Sequence, residues 1–429
     1  MIVRQGFQYA LRLKPQEEAL LRRWAGCRRF VFNEALAHQQ AELAAGRKRP
    51  GYEALSARLP ELKKTHPWLT EPPAQALQQA LKDLCAAWEA KFNSRFGAPR
   101  FKKRGEGDSL RLPQDCKYDS EAGAVTLPKL GRVRLRHSRV ALGTLKNVTL
   151  RQQGGKWIAA LQTQREVEAP VPTATAAVGL DFGVVTIITP SVGAPIELPP
   201  QLNRYERRMK RLQQALSRKQ KASKNRRKAR QRVAACHQRI AAVRRDFLQK
   251  STTQLVRENA LIAIEDLSVK HMTASAAGTV DAPGKNVRAK TGLNRSIRRN
   301  GWSMARAMLK YKTAWAGVML VPVPPAYTSQ TCSACGHVAA ESRKTQAVFS
   351  CVACGHAENA DRNAARNILA RAEASLGGCP AGTAGHAETQ ACEGAAKPRR
   401  RPRSAARGRS ASRPAELPLT GTISEPKHS

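Results

Sequence analysis

The sequence predicts a mixed α/β chain built in parts. A small antiparallel β-barrel carries a helical insertion, and an α/β domain interrupted by a zinc ribbon follows it. Three observations predict this. Residues 1–13 and 124–167 fall into short runs of alternating apolar and polar residues, as strands with one buried face do. Residues 260–267, ALIAIEDL, are continuously apolar and then acidic, as a central strand buried on both faces reads. Cys332-x2-Cys335 and Cys351-x2-Cys354, fifteen residues apart, have the spacing of a tetrahedral Zn²⁺ site.

A chain of 429 residues can hold two to four domains. Its 74 Lys and Arg against 32 Asp and Glu give a net charge of +42, and the pI is about 10.8. Such an excess implies a polyanionic partner, because each phosphate neutralised by Lys or Arg releases a condensed counterion. A membrane surface is the other common polyanion. No run approaches the roughly 18 apolar residues of a membrane span, and MIVRQGFQYALRL lacks the apolar core of a signal peptide. The expectation is a soluble cytoplasmic protein. Cys27, Cys85, Cys116 and Cys236, scattered singly, fit a reducing compartment.

In chain order, the strand at 1–13 places Val3, Phe7, Tyr9, Leu11 and Leu13 on one side. Pro15 opens a helix with Glu17 and Glu18 in its first turn, where the dipole favours acids. Leu20, Trp24, Cys27, Phe30 and Val31 form its apolar stripe. A second helical piece is expected over 52–63. A third starts at Pro72-Pro73, with Leu77, Leu81, Leu84 and Trp88 on its inner face. Residues 14–109 are therefore read as a small helical module inserted into a barrel made of 1–13 and 110–170. The module ends in Pro99-Arg100-Phe101-Lys102-Lys103-Arg104, an aromatic within a basic cluster, which suits phosphate contact and base stacking.

Residues 176–190, AAVGLDFGVVTIITP, read as a buried strand, a glycine-flanked Asp181 and a second strand. Over 201–256, Leu202, Tyr205, Met209, Leu212 and Leu216 step by three and four, as do Val233, Cys236, Ile240, Val243 and Phe247. Two such seams predict a helical hairpin. Fourteen basic residues and one acid, Glu206, lie between Arg204 and Arg232. A merely solvated face mixes signs, so a phosphate-binding surface is the better reading. The candidate contacts are Arg100, Lys102, Lys103, Arg207, Arg208, Arg211, Arg226, Arg227 and Arg230. Residues 273–296, rich in Ala, Gly, Lys and Asn, are expected to form a mobile loop, followed by a helix at 297–315 and a strand at 318–323. After the cysteines, Asn359-Ala360-Asp361 opens a helix closed by Gly377-Gly378. Residues 377–429 hold almost no large apolar side chain and are expected to be a disordered basic tail.

Asp181, Glu265 and Asp361 each have a plain reading: a turn, a strand edge, a favourable helix start. Taken together, acids from separate buried elements are what a two-metal phosphodiester site requires. Mg²⁺ wants oxygen donors. Two ions roughly 4 Å apart can clamp the attacking water and the leaving oxygen.

At these residues the sequence resembles the OrfB/TnpB proteins of insertion sequences, which carry a RuvC-like nuclease of RNase H fold. The resemblance rests on Gly179-Leu180-Asp181-Phe182-Gly183, Ile264-Glu265-Asp266-Leu267, Thr328-Ser329-Gln330-Thr331-Cys332, Cys351-Val352-Ala353-Cys354-Gly355 and Ala360-Asp361-Arg362-Asn363. It implies that Asp181, Glu265 and Asp361 form the Mg²⁺-binding catalytic triad, and that Cys332, Cys335, Cys351 and Cys354 hold structural zinc. It also implies a guide RNA from the transposon end, a target double-stranded DNA and a short motif read beside the target. The barrel becomes a wedge domain, residues 14–109 a helix-turn-helix-like recognition module and 328–358 the zinc ribbon, in a cytoplasmic, nucleoid-associated protein of a prokaryote. Residues 171–327 with 359–376, including the basic hairpin, become the RuvC-like nuclease.

The resulting expectation is a Mg²⁺-dependent, RNA-guided DNA endonuclease, monomeric, with no membrane partner. Its products would carry a 3′-hydroxyl and a 5′-phosphate. The alternatives are a non-cleaving nucleic-acid-binding regulator and a transposase that joins DNA ends.

Overall fold

The computed structural model describes residues 1–93, 96–105, 107–279 and 282–377. Strand β1 (Ile2–Arg12) leads into helix α1 (Pro15–Ala44). Pro15 stands in the first turn, where its missing N–H leaves no bond unmade, and the Lys14 amide donates to the Glu17 carboxylate at 2.8 Å. Helices α2 (Tyr52–Ala57), α3 (Leu59–Thr65) and α4 (Ala74–Phe92) fold against α1. Val31, Leu36, Leu55, Leu69, Leu81 and Trp88 share their core. The single piece expected over 52–63 is two helices, because Pro60 has no N–H to continue the first.

Six further strands complete a sheet with β1: β2 (Ser109–Leu112), β3 (Lys117–Asp119), β4 (Ala124–Leu127), β5 (Gly131–Leu135), β6 (Thr144–Gln153) and β7 (Lys156–Glu166). The order is β2-β6-β7-β1-β5-β4-β3. β1 is central: it pairs with β7 from Ile2 to Ala10 and with β5 at Leu11 and Arg12. The expected closed barrel is not formed, since β2 and β3 end the ladder without pairing to each other. Leu110 and Leu112 near one edge nonetheless share a core with Val125 and Leu127 near the other. Leu21, Trp24 and Ala25 of α1 and Ala76 of α4 enter the same core. Apolar surface that closure would have covered is covered by helices instead.

The second sheet comprises β8 (Ala177–Asp181), β9 (Thr189–Pro190), β10 (Leu261–Glu265) and β11 (Met319–Val323), in the order β11-β10-β8-β9. β10 runs parallel to both neighbours and β9 is antiparallel to β8. Helices α5 (Gln201–Ser217) and α6 (Lys224–Glu258) form the hairpin expected from their seams, with Leu202, Met209, Cys236 and Ile240 buried between them. α7 (Val269–Met272), α8 (Val287–Asn300) and α9 (Trp302–Ala316) connect β10 to β11.

Two expectations fail in this connection. The helix read at 297–315 is broken at Gly301, which adopts a left-handed φ of +75°. The second half of the loop read at 273–296 is the start of α8. That helix is held by amides rather than by an apolar stripe: Asn294 donates to the carbonyls of Thr273 and Ala274, and Asn300 to those of Gly183 and Val184. Hydrophobic periodicity does not register such a helix.

β12 (Val348–Ser350) and β13 (Ala357–Asn359) form a two-stranded ribbon that runs directly into α10 (Ala360–Gly377). Asn359 caps α10, accepting at its side-chain oxygen from the amides of Asp361 and Arg362. α10 lies against β8 so closely that a Cβ on Gly179 would stand 2.0 Å from the Ala365 carbonyl oxygen. Among the described residues no helix is long and apolar enough to cross a membrane. Apart from Gly377, the tail expected to be disordered lies outside the described residues.

Candidate active site and metal centre

Ile264 pairs with Leu180 in the parallel β8–β10 ladder. The next residue of each strand is Glu265 and Asp181, so two carboxylates stand on adjacent strands at the C-terminal edge of the sheet. Asp361 joins them from the first turn of α10, the helix seated on β8. A Cβ on Gly183 would lie 3.6 Å from its Oδ2. Three acids separated by up to 180 residues in sequence thus stand near enough for Asp181 to feel the charge of both others. Burial, then Glu265, then Asp361 push the Asp181 carboxyl up to about 7. Burial also raises Glu265 and Asp361.

The acids are not bare. The Thr328 hydroxyl donates to Glu265 Oε1 at 2.6 Å. Arg343, from the ribbon, stands 3.4 Å from Asp361 Oδ1 and draws both Asp361 and Asp181 back towards ionisation. Arg306 of α9 pins Asp266, the neighbour of Glu265, at 2.9 Å. Their oxygens do not all lie within 4.8 Å of one another, so the acids do not form a cage for one ion. An all-oxygen donor set, one member of which is pushed towards its protonated form by burial and two neighbouring carboxylates, suits hard divalent cations such as Mg²⁺.

The second centre differs in chemistry. The sulfurs of Cys332, Cys335, Cys351 and Cys354 all lie within 4.8 Å of one another. The Cys332–Cys354 and Cys335–Cys351 separations are both 3.7 Å. A tetrahedron with metal–sulfur bonds of about 2.3 Å has edges of about 3.8 Å, so these residues fit zinc. Both halves use one device. The amides of Gly336 and Gly355 donate to Cys332 and Cys351 carbonyls at 3.0 and 3.1 Å, with φ of +76° and +73° that favour glycine. The Cys354 amide pulls the Cys351 thiol down to about 6, towards the thiolate a metal requires.

Of the basic residues singled out, Arg207, Arg208 and Arg211 on α5, Arg227 and Arg230 on α6, and Arg100 and Lys103 are exposed. Two have internal partners. Lys102 lies over the Phe32 ring at 3.9 Å, and burial lowers it to about 8. Arg226 donates to the carbonyls of Leu216 and Lys219, closing the end of α5. The sequence reading missed a basic groove of about 1080 Å³ between β1 and helices α6 and α9, lined by Arg4, Arg139, Arg245, Arg257, Tyr311 and Trp315 among others. No local pattern announces it, since its walls come from four distant segments. Arg343 was missed for the same reason. Thr328 was visible only as a letter beside the first cysteine pair.

Fold and site together define a mixed α/β protein with three neighbouring acids, a four-cysteine cluster and a strong excess of basic residues. Residues 160–276 match the OrfB_IS605 family model, described as "Probable transposase". Residues 302–368 match the Cas12f1-like TNB domain, and residues 1–48 the helix-turn-helix domain of OrfB proteins. The chain is 47% identical over 374 residues to an Escherichia coli protein named "Putative RNA-guided DNA endonuclease InsQ", covering 87% of this chain and 93% of that one. A Streptomyces pristinaespiralis protein named "Putative RNA-guided DNA endonuclease" is 33% identical, covering 86% and 89%. A Cas12f1 solved with guide RNA and target DNA shares the fold at a TM-score of 0.52 and 14% identity, over 83% of each chain. The chain belongs to the OrfB/TnpB family of insertion-sequence proteins.

Proposed function

We propose that this protein is a transposon-associated, RNA-guided DNA endonuclease that hydrolyses phosphodiester bonds at Asp181, Glu265 and Asp361. The observation that carries the reading is the convergence of those three acids at one sheet edge, with Asp181 pushed up to about 7 by burial beside the other two. Like charges gathered in a buried pocket are costly unless cations join them. The names of its relatives support the same activity.

In this reading the second sheet with α5–α10 is a RuvC-like domain of RNase H type, spanning 171–327 and 359–376, and 328–358 is its zinc ribbon. The coiled sheet of β1–β7 serves as the wedge, and residues 14–109 as the recognition module. The three carboxylates would hold two Mg²⁺ ions, which when bound supply Lewis acidity to the phosphate and to the attacking water. Glu265 and Asp181 project from the ends of two paired strands, which fixes where each side chain starts. Arg343 places a positive charge beside Asp361, where a phosphate oxygen would need one. The thiolate site is structural, because four sulfurs leave no open position on a tetrahedral ion. The exposed arginines of α5 and α6, and the groove between β1 and α9, would hold guide RNA and target DNA by their backbones.

The test is cleavage of a plasmid library in Mg²⁺ by protein purified with and without its co-purifying RNA. Cleavage is expected only with RNA, at sites matching the RNA beside a short fixed motif. Asp361→Ala should bring cutting below detection while leaving nucleic-acid affinity within about twofold. An Asp361→Ala protein that still cuts would remove that residue from the site.

A further inference from the structure

The loop entering the ribbon does more than deliver Cys332. Tyr327 adopts a left-handed φ of +62°, and the amides of Gln330 and Thr331 then both donate to its carbonyl at 3.0 Å. This tight turn carries Thr328, which is 3% exposed, beneath Glu265, itself 8% exposed. The Thr328 hydroxyl meets Glu265 Oε1 at 2.6 Å, with the Pro325 carbonyl as a longer alternative at 3.1 Å.

The turn is fastened from the other side by α10. Asn367 donates to the carbonyls of Thr328 and Thr331 at 2.9 and 2.6 Å. Asn363, one turn earlier, donates to Thr331 at 2.7 Å and accepts from the Ser333 amide at 2.9 Å. Both asparagines are buried, at 6% and 0% exposure. A single helix therefore supplies Asp361 and also fixes the turn that grips Glu265.

We infer that Thr328 is a positioning residue for the reaction: held by Asn363 and Asn367, it sets which Glu265 oxygen is free to take a metal ion. A buried carboxylate on a strand end can rotate about its own bonds, and a hydroxyl bound to one oxygen removes that freedom. Partners of this kind, one step behind a metal ligand, are worth about 10- to 100-fold in metal affinity or activity. The inference rests on the proposal that Glu265 is a metal ligand.

The test uses the full-length, zinc-loaded chain. Thr328→Val keeps the shape and removes the hydroxyl, Thr328→Ser restores it, and Thr328→Ala guards against a misfit of the valine methyl. Mn²⁺ binding to the nucleic-acid-free protein is followed by electron paramagnetic resonance, with Asp181→Asn as the blank. In parallel, the Mg²⁺ concentration for half-maximal cleavage is measured on the RNA-loaded protein. Thr328→Val and Thr328→Ala should weaken Mn²⁺ binding, and raise the Mg²⁺ requirement, by about tenfold or more. Zinc content and melting temperature should stay at the parent values, and Thr328→Ser should recover at least half of the loss on a logarithmic scale. Parent-like metal binding in Thr328→Val and Thr328→Ala, with Glu265→Gln inactive, overturns the inference and leaves the nuclease reading intact. Loss of zinc in step with activity also overturns it, since Thr328 would then hold the ribbon and not the acid. If Glu265→Gln itself binds Mn²⁺ and cuts like the parent, the underlying reading fails first.

Discussion

At the scale of single residues, Asp181 shows how burying one acid beside two others ties stability to pH. Asp181 has an ordinary value of 3.8 and stands at about 7 in the fold. Between those values the folded chain keeps a proton that the unfolded chain has lost. Its contribution to stability is thus complete below about pH 3.8 and is lost as pH rises through 7. In the absence of Mg²⁺, Asp181→Asn should remove this slope and melt higher than the parent at pH 8, by an amount on the order of a few kcal/mol. Thermal scans at pH 5.5 and 8 check this; a variant less stable than the parent at pH 8 contradicts it. The same proton competes with cations, so the Mg²⁺ needed for half-maximal cleavage should climb as pH falls below 7. Gly179 is a second decisive position. With the Ala365 carbonyl oxygen 2.0 Å from where a Cβ would be, Gly179→Ala must push α10 off β8 and carry Asp361 with it. A loss of about 3 kcal/mol or more is expected, at the upper end for overpacking, together with loss of cutting.

At the scale of elements, what could be read in advance was whatever leaves a local pattern. The paired cysteines and their glycines give the ribbon, ALIAIEDL gives β10 with Glu265 at its end, and the two apolar seams give the α5–α6 hairpin. α8 escaped because asparagine amides hold it to neighbouring carbonyls. The closed barrel was over-read because alternation shows that a strand has two faces, not whether the last strand meets the first. The meeting of the three acids was suggested by family resemblance; the residues themselves leave a turn, a strand edge and a helix start equally open. For the ribbon, Cys332→Ser should abolish zinc binding and unfold 328–358, since thiolate-bound zinc contributes on the order of 10 kcal/mol to folding of such modules. Full thermal stability in a zinc-free variant would count against a structural metal. For the hairpin, Arg207→Ala, Arg208→Ala and Arg211→Ala combined should flatten the dependence of log affinity on log salt by about 2 to 3, near one per lost phosphate contact. An unchanged slope would exclude that face from the complex.

At the scale of the whole molecule, a charge of +42 and a group of three buried acids are complementary. In the proposed reading the basic residues gather polyanion, and the acids recruit cations to where a phosphate would be broken. Of the described elements α10 is the last, and it brings the third acid: Asp181 and Glu265 are laid down with the second sheet, but Asp361 follows only after the seven-stranded sheet and the basic hairpin. In the proposed reading, a chain cut short before α10 keeps its basic helices and lacks one of the three acids.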